Sequence, residues 1–128
     1  MSTHTGSCLC GAVRFEVEGD LRAPEACHCT MCRKLSGHYP AWSDVPKDRL
    51  TIPETDALRW YQSSEKVRRG FCGLCGAPLF FDALHKDWTS VAMGAIDGPT
   101  QTHLRGHIFA ADKGDYYDIT DGLPQNAQ

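Results

Sequence analysis

Short stretches in which apolar and polar residues alternate are the dominant pattern of this chain. Val13, Phe15 and Val17 alternate with charged residues, and this period of two predicts a strand with one buried face. No window sustains the i, i+3, i+4, i+7 spacing of a long amphipathic helix. The pattern therefore predicts a mainly β fold.

Further short strands are predicted where apolar runs lie between turn residues, and they cover residues 39–42, 50–52, 58–62, 67–72, 79–81 and 90–93. Residues 31–35 are expected to form one helical turn, and residues 21–26 a connector. The last residues, 124–128, are expected to fray. We expect the large aromatic side chains to fill the core rather than wall a binding site: Trp42, Trp60, Trp88, Tyr61 and Phe80.

The length of 128 residues suits a single domain, 1–128, with its core at about residues 6–124. The net charge of −3 does not favour nucleic acid or an anionic membrane as a partner. The first residues lack the pattern of a secretory signal, and the longest apolar stretches are far too short to span a membrane. These features predict a cytoplasmic protein and leave its oligomeric state undetermined.

Seven cysteines occur in three tight clusters, and none stands alone. The clusters are Cys8 and Cys10, then Cys27, Cys29 and Cys32, then Cys72 and Cys75. In a reducing compartment clustered cysteines indicate metal binding rather than disulfides, and thiolates are preferred ligands of zinc. Four thiolates close a structural site, whereas three leave a position for water or substrate. The count thus suggests two zinc ions, one structural and one catalytic.

Local sequence around the outer clusters supports metal binding. Cys8 and Cys10 point the same way if that segment is extended, and Gly11 marks a turn after them. Around Cys72 and Cys75, glycines permit the tight turn of a zinc knuckle. A redox C-x-x-C motif would instead open a helix, and Pro78 with the apolar strand after it argues against one.

Spacing alone leaves two groupings of the cysteines open. One joins Cys8 and Cys10 to Cys72 and Cys75, so that the middle cluster forms a separate three-thiolate site. The other is a zinc ribbon that joins the middle cluster's last two cysteines to Cys72 and Cys75. The first grouping keeps every local cluster whole, and for that reason we prefer it.

Three motifs in order resemble the glutathione-dependent formaldehyde-activating enzyme family, which includes centromere protein V. They are Gly6-Ser7-Cys8-Leu9-Cys10-Gly11, Cys27-His28-Cys29-Thr30-Met31-Cys32-Arg33 and Phe71-Cys72-Gly73-Leu74-Cys75-Gly76. The C-terminal part, with His107-Ile108-Phe109, Tyr117-Asp118 and Asp121-Gly122-Leu123-Pro124, is also similar. The resemblance runs from about residue 6 to residue 124.

The resemblance implies an Mss4-like fold of coiled antiparallel sheets stabilised by zinc. It also implies a structural zinc on Cys8, Cys10, Cys72 and Cys75, and a catalytic zinc on Cys27, Cys29 and Cys32. The implied activity is that of a carbon–sulfur lyase acting on S-hydroxymethylglutathione, the adduct of glutathione and formaldehyde. Two other hypotheses stay open: a non-catalytic zinc-stabilised binding module, and a buffer of metal or aldehyde.

Other polar residues are weaker candidates. His28 lies inside the middle cluster as a possible proton shuttle or ligand, but a histidine in a surface loop pointing away from the metal is the favoured interpretation. Arg33, Arg105 and Lys113 are candidate partners for the carboxylates of glutathione, although ordinary surface charges are expected more often.

Overall fold

The computed structural model describes residues 2–128, and within them ten strands and one α-helix. The strands are β1 (Thr3–Ser7), β2 (Arg14–Glu18), β3 (Glu25–Cys27), β4 (Ala41–Pro46), β5 (Leu50–Thr51), β6 (Leu58–Ser64), β7 (Val67–Cys72), β8 (Pro78–Ala83), β9 (Trp88–Ala92) and β10 (Gly106–Ile108). The helix α1 spans Thr30–Ser36, and short 3₁₀ turns cover Lys47–Arg49, Met93–Ala95 and Ala110–Asp112. The prediction of a mainly β fold is confirmed.

The strands form two sheets. The small sheet has the order β1-β2-β5, and the large one has the order β10-β3-β4-β9-β8-β7-β6. Neighbouring strands are antiparallel except for β10 and β3, which run parallel. Because successive residues of a strand point to opposite faces, each strand of the large sheet serves two surfaces.

One face of the large sheet packs against the small sheet and forms the main core. Val45, Phe80 and Val91 lie in the same buried cluster as Phe15 of β2. The rings of Phe15 and Phe80 meet edge to face with centroids 5.3 Å apart, a favourable aromatic geometry. Gly6 leaves the space that the Phe15 ring occupies, because a Cβ there would lie 2.3 Å from this ring and 2.7 Å from the Ala95 carbonyl oxygen.

On the other face of the large sheet, Cys32 of the helix α1 lies in a small buried cluster with Trp42. This helix begins at Cys29, whose sulfur accepts a hydrogen bond of 3.3 Å from the backbone N–H of Cys32. It ends at Gly37, which has a left-handed φ of 85° and donates its N–H to the carbonyl of Arg33. The predicted helical turn is therefore confirmed.

Two expectations about local structure were wrong. The connector expected at residues 21–26 contains the start of β3, because this strand pairs with both β4 and β10. The tail does not fray: the N–H of His107 donates to the Pro124 carbonyl, and Asn126 donates back to His107, both at 2.9 Å. The outer edge of β10 would otherwise leave these backbone groups without a protein partner.

The aromatic residues divide between core and surface. Phe80 is buried as expected, and Trp60 stacks on it with centroids 6.1 Å apart. Tyr61 is 62% exposed on the edge strand β6, so its expected core position was wrong. Trp42 and Trp88 lie on the face away from the main core, and their surroundings are described below.

Asp82 is a buried carboxylate at the centre of an ion-pair network, and we predict that Asp82→Asn lowers the free energy of unfolding. It accepts from Arg68 Nε at 2.7 Å and Lys47 Nζ at 3.0 Å. Burial raises the pKa of Asp82, but the two cationic partners outweigh it and hold the pKa below its ordinary value. Losing such charged hydrogen bonds costs about 1.5–3 kcal/mol, measurable by denaturant unfolding at pH 7.

The effect of Asp82→Asn depends on pH with a defined sign. Because the pKa is depressed in the folded state, the stabilisation is complete above the unfolded value of about 3.9. It disappears as the pH falls through the folded value, so the variant and the parent should converge in acid. The control is Glu65→Gln at an exposed turn position, and an equal loss of stability there would contradict the assignment.

Candidate metal centres and the adjoining cavity

Four cysteines from distant parts of the chain converge on one point. The sulfurs of Cys8, Cys10, Cys72 and Cys75 all lie within 4.8 Å of one another. The Sγ atoms of Cys8 and Cys10 are 3.7 Å apart, as are those of Cys10 and Cys72. A tetrahedron with metal–sulfur bonds of 2.3 Å has edges of about 3.8 Å. The cluster therefore has the dimensions of a four-thiolate metal site.

Tight turns bring these sulfurs together. Cys8 and Cys10 lie in a turn after β1 rather than in an extended segment, and Gly11 there has a φ of 81°. In the second turn, Gly76 has a φ of 82° and donates its N–H to the Cys72 carbonyl at 2.7 Å. Only glycine adopts such backbone angles at low cost, which explains both of these glycines.

The middle cluster forms a separate three-sulfur group. Cys27 ends β3, Cys29 caps α1, and Cys32 lies in the first turn of the helix. Their sulfurs lie within 4.8 Å of one another, and Cys27 and Cys32 are buried. The structure thus separates the cysteines into a group of four and a group of three, either of which could hold a metal ion.

Arg69 is a buried cation beside the three-sulfur group that the sequence analysis missed. It is 5% exposed, and its Nη1 donates to the sulfur of Cys32 at 3.3 Å. Its Nε donates to Ser63 at 3.2 Å, and its guanidinium lies 5.0 Å from the ring centroid of Phe81. Among residues 2–128 it forms no salt bridge with a carboxylate. The sulfur of Cys32 is therefore the contacting group that can balance its charge.

This arrangement favours an ionised sulfur. A hydrogen bond from Cys27 lowers the pKa of Cys32, burial opposes the change, and Arg69 lowers it further, to about 5. The same contact with Cys32, together with burial, raises the pKa of Cys27. Three sulfurs around a divalent ion carry a net charge of −1, so a buried guanidinium is a suitable counterion. The donor set and its surroundings fit a metal–thiolate centre.

All three sulfur-bearing residues line a cavity of about 530 Å³, within the usual range for small-molecule sites. Its walls are largely aromatic and aliphatic, and include Trp42, Phe81, Trp88, Ile108 and Phe109. Trp42 is buried as expected, but in a second small cluster with Cys27 and Cys32, and it also contributes to the cavity wall. The expected core position of Trp88 was wrong, because it is half-buried on the cavity face, opposite the main core. Ser63 and Ser90 add hydroxyl groups to the lining.

A chain of hydrogen bonds links Tyr117, His28, His107 and Asp121, next to the segment that carries Cys27 and Cys29. The hydroxyl of Tyr117 contacts Nδ1 of His28 at 2.7 Å, and Nε2 of His28 contacts Nδ1 of His107 at 2.9 Å. Nε2 of His107 then contacts Asp121 at 2.8 Å. All three bonds are satisfied when Tyr117 donates to a neutral His28, His28 donates to a neutral His107, and His107 donates to the carboxylate of Asp121.

The expected surface position of His28 was wrong. Its exposed fraction is 1%, and burial, with the nearby His107, lowers its pKa. Both ring nitrogens of His28 are already hydrogen-bonded, and none of the four residues linked by these hydrogen bonds lines the cavity. This series of hydrogen bonds therefore connects the C-terminal segment to the end of β3, the strand that carries Cys27.

The basic residues that we considered as partners for the carboxylates of glutathione lie outside the lining of the cavity. Arg105 forms a salt bridge of 3.1 Å with Glu25, and Lys113 donates to the carbonyl of Gly114 at 2.8 Å. Neither these two nor Arg33 is among the residues that line the cavity. Arg69 is the one cationic residue in that lining within the described part of the chain.

Comparison with known proteins agrees with the geometry. A crystal structure of a Rhodobacter sphaeroides protein matches with a TM-score of 0.63 and 22% identity, over 78% of this chain and 98% of that one, which shows a shared fold. Within residues 2–128, no helix has the length and apolar character needed to cross a membrane.

Sequence comparison identifies the family. A Halomonas elongata protein, named as a candidate glutathione-dependent formaldehyde-activating enzyme, is 30% identical over 89% of this chain and 79% of its own length. An uncharacterised lyase of Schizosaccharomyces pombe is 32% identical over 93% of this chain and 87% of its own. The family model for glutathione-dependent formaldehyde-activating enzymes matches residues 3–112. The chain belongs to this family.

Proposed function

We propose that the protein is a zinc-dependent carbon–sulfur lyase acting on thiol–aldehyde adducts at the three-sulfur group. The observation that carries this proposal is the position of Cys27, Cys29 and Cys32 in the lining of a cavity large enough for a small molecule. The names of the family and of the two relatives supply the reaction class and the assay pair, glutathione and formaldehyde.

The two cysteine groups have different roles in this proposal. Cys8, Cys10, Cys72 and Cys75 would complete the tetrahedron of a structural zinc, whereas three sulfurs leave one position available. A zinc ion held by Cys27, Cys29 and Cys32 would supply Lewis acidity and lower the pKa of a thiol. Two zinc ions per chain are therefore expected.

The residues around the cavity hold the reactants in this scheme. In the lyase direction the C–S bond of RS–CH₂OH breaks, the electron pair stays on sulfur, and the hydroxyl proton is transferred to it, giving RSH and formaldehyde. Arg69 holds the Cys32 sulfur and balances its charge. The aromatic walls exclude water and orient the organic group.

We predict that Cys29→Ser reduces the zinc content from two ions per chain to one and abolishes catalysed adduct exchange, while the fold persists. Cys27 and Cys32 are only five positions apart, so an ion there joins no distant segments and little loop-closure entropy depends on it. Elemental analysis gives the zinc content, and NMR exchange spectroscopy at equilibrium separates catalysis from spontaneous adduct formation.

Cys75→Ser is the matched substitution in the other cluster, and it should unfold the domain. Its site joins segments more than 60 residues apart and adjoins the main core through Cys8 and Cys72. Structural zinc binding contributes about 10–16 kcal/mol in zinc-finger peptides, comparable with the whole stability of a domain, about 5–15 kcal/mol. Circular dichroism would show the loss, and a folded variant with a full zinc content would contradict the assignment.

Arg69→Met should weaken zinc retention at the three-sulfur group, because it removes the buried counterion of the Cys32 thiolate. Loss of an outer partner of this kind typically reduces metal affinity by roughly ten- to hundredfold. The measurement is the chelator concentration that removes the second zinc ion. Arg68→Met is the matched control, since Arg68 binds Asp82 rather than a sulfur; equal zinc loss in both variants would refute the role.

Mild chelation of the parent protein separates the lyase from the alternatives. Removal of one zinc ion with the fold intact, together with catalysed exchange, supports the proposal. A second ion that never exchanges, without turnover, would favour the zinc-stabilised binding module. Stoichiometric uptake of aldehyde without turnover would favour a buffer.

A further inference from the structure

The side chains that wall the cavity bear on the chemical class of its substrate. Trp42, Phe81 and Trp88 come from the adjacent strands β4, β8 and β9 and share one face of the sheet. Phe81 and Trp88 stack at an interplanar angle of 7° with centroids 6.1 Å apart, and Trp42 lies 6.3 Å from Phe81. Such a surface favours a planar, apolar group placed against it.

The charged groups of the lining do not suit a glutathione backbone. Glutathione carries two carboxylates and an ammonium, and the strongest partner for each carboxylate is a cation that is free to pair with it. Among residues 2–128, the lining contains the carboxylates Glu25, Asp44 and Asp112 but only one cation, Arg69. Arg69 is already bonded to Cys32 and Ser63.

Two of the carboxylates in the lining already have partners within the protein. Glu25 is paired with Arg105, while Asp44 accepts from Ser90 at 2.6 Å and lies 3.9 Å from Arg22. A second carboxylate brought into this cavity would lose its water without gaining a free cation in the lining. The lining therefore disfavours an anionic tripeptide and favours a neutral one-ring group.

We propose that the adduct handled at this site carries an apolar, ring-sized organic group. This inference rests on the proposed lyase function and deepens it. The ring belongs to the thiol half of RS–CH₂OH, because the same lining disfavours the carboxylates of glutathione. The C–S bond breaks, its electrons stay on sulfur, and the hydroxyl proton moves to sulfur to give RSH and formaldehyde. No oxidant or further reactant is required.

The first test compares three pairs on the zinc-loaded protein by NMR exchange spectroscopy. The pairs are glutathione with formaldehyde, 2-phenylethanethiol with formaldehyde, and glutathione with phenylacetaldehyde. Burial of the phenyl group of the aryl thiol should raise kcat/KM for the second pair about tenfold or more above the first pair. The third pair keeps glutathione and places the ring on the aldehyde, and fastest exchange with either glutathione pair would overturn the proposal.

The second test measures binding without turnover. Trp60 lies outside the cavity, so the Trp60→Phe protein retains only Trp42 and Trp88, both of which line it. Titration with 2-phenylethanethiol should change the tryptophan fluorescence, and S-methylglutathione at the same concentration should not. Equal responses, or none to the aryl thiol, would overturn the proposal.

Matched variants locate the selectivity. Trp88→Ala should reduce the preference for the aryl thiol pair to near unity. Trp60→Ala is the same change outside the cavity, and the part of that variant that is folded, as measured by thermal melting, should retain the preference. If no pair is turned over but the aryl thiol binds in a Trp88-dependent manner, the lyase function fails and the apolar selectivity stands. If glutathione is turned over best, the lyase function stands and the selectivity fails.

Discussion

The alternation of side chains across the large sheet is the constraint on which the rest of this structure depends. Successive residues of β4, β8 and β9 must point to opposite faces. Phe80 and Val91 therefore enter the main core, while their neighbours Phe81 and Ser90 face the cavity. The same strands supply both stability and a binding surface, and a register slip of one residue would exchange the two.

The two cysteine groups solve different physical problems. The group of four joins two turns from distant parts of the chain and lies against the main core, so it acts on the fold as a whole. The group of three comes from one short stretch of sequence, where β3 is followed by α1. The hydrogen bonds from Tyr117 to Asp121 support the same stretch through His28. In the function proposed above, this separation would permit one site to exchange its ligands while the other maintains the structure.

Charge compensation links the second group to the cavity. A buried guanidinium is costly unless an anion accompanies it, and Arg69 finds that anion in the sulfur of Cys32. Arg69 is also the one cation that residues 2–128 contribute to the cavity lining, so these residues supply no second cation there for a carboxylate-rich substrate. In the proposed scheme, the counterion that the sulfur of Cys32 requires therefore also limits which substrates the cavity can accept.

The sequence by itself determined the mainly β fold, the family and the three cysteine clusters, because these depend on local periodicity and on spacings of a few residues. It predicted β7 at residues 67–72 with the observed bounds. It could not place Trp42, Trp88 or Arg69 at a cavity, nor show the burial of His28. Those positions follow from which strands become neighbours and which face each strand presents, and only the tertiary structure decides that, because the contacts join residues far apart in the chain.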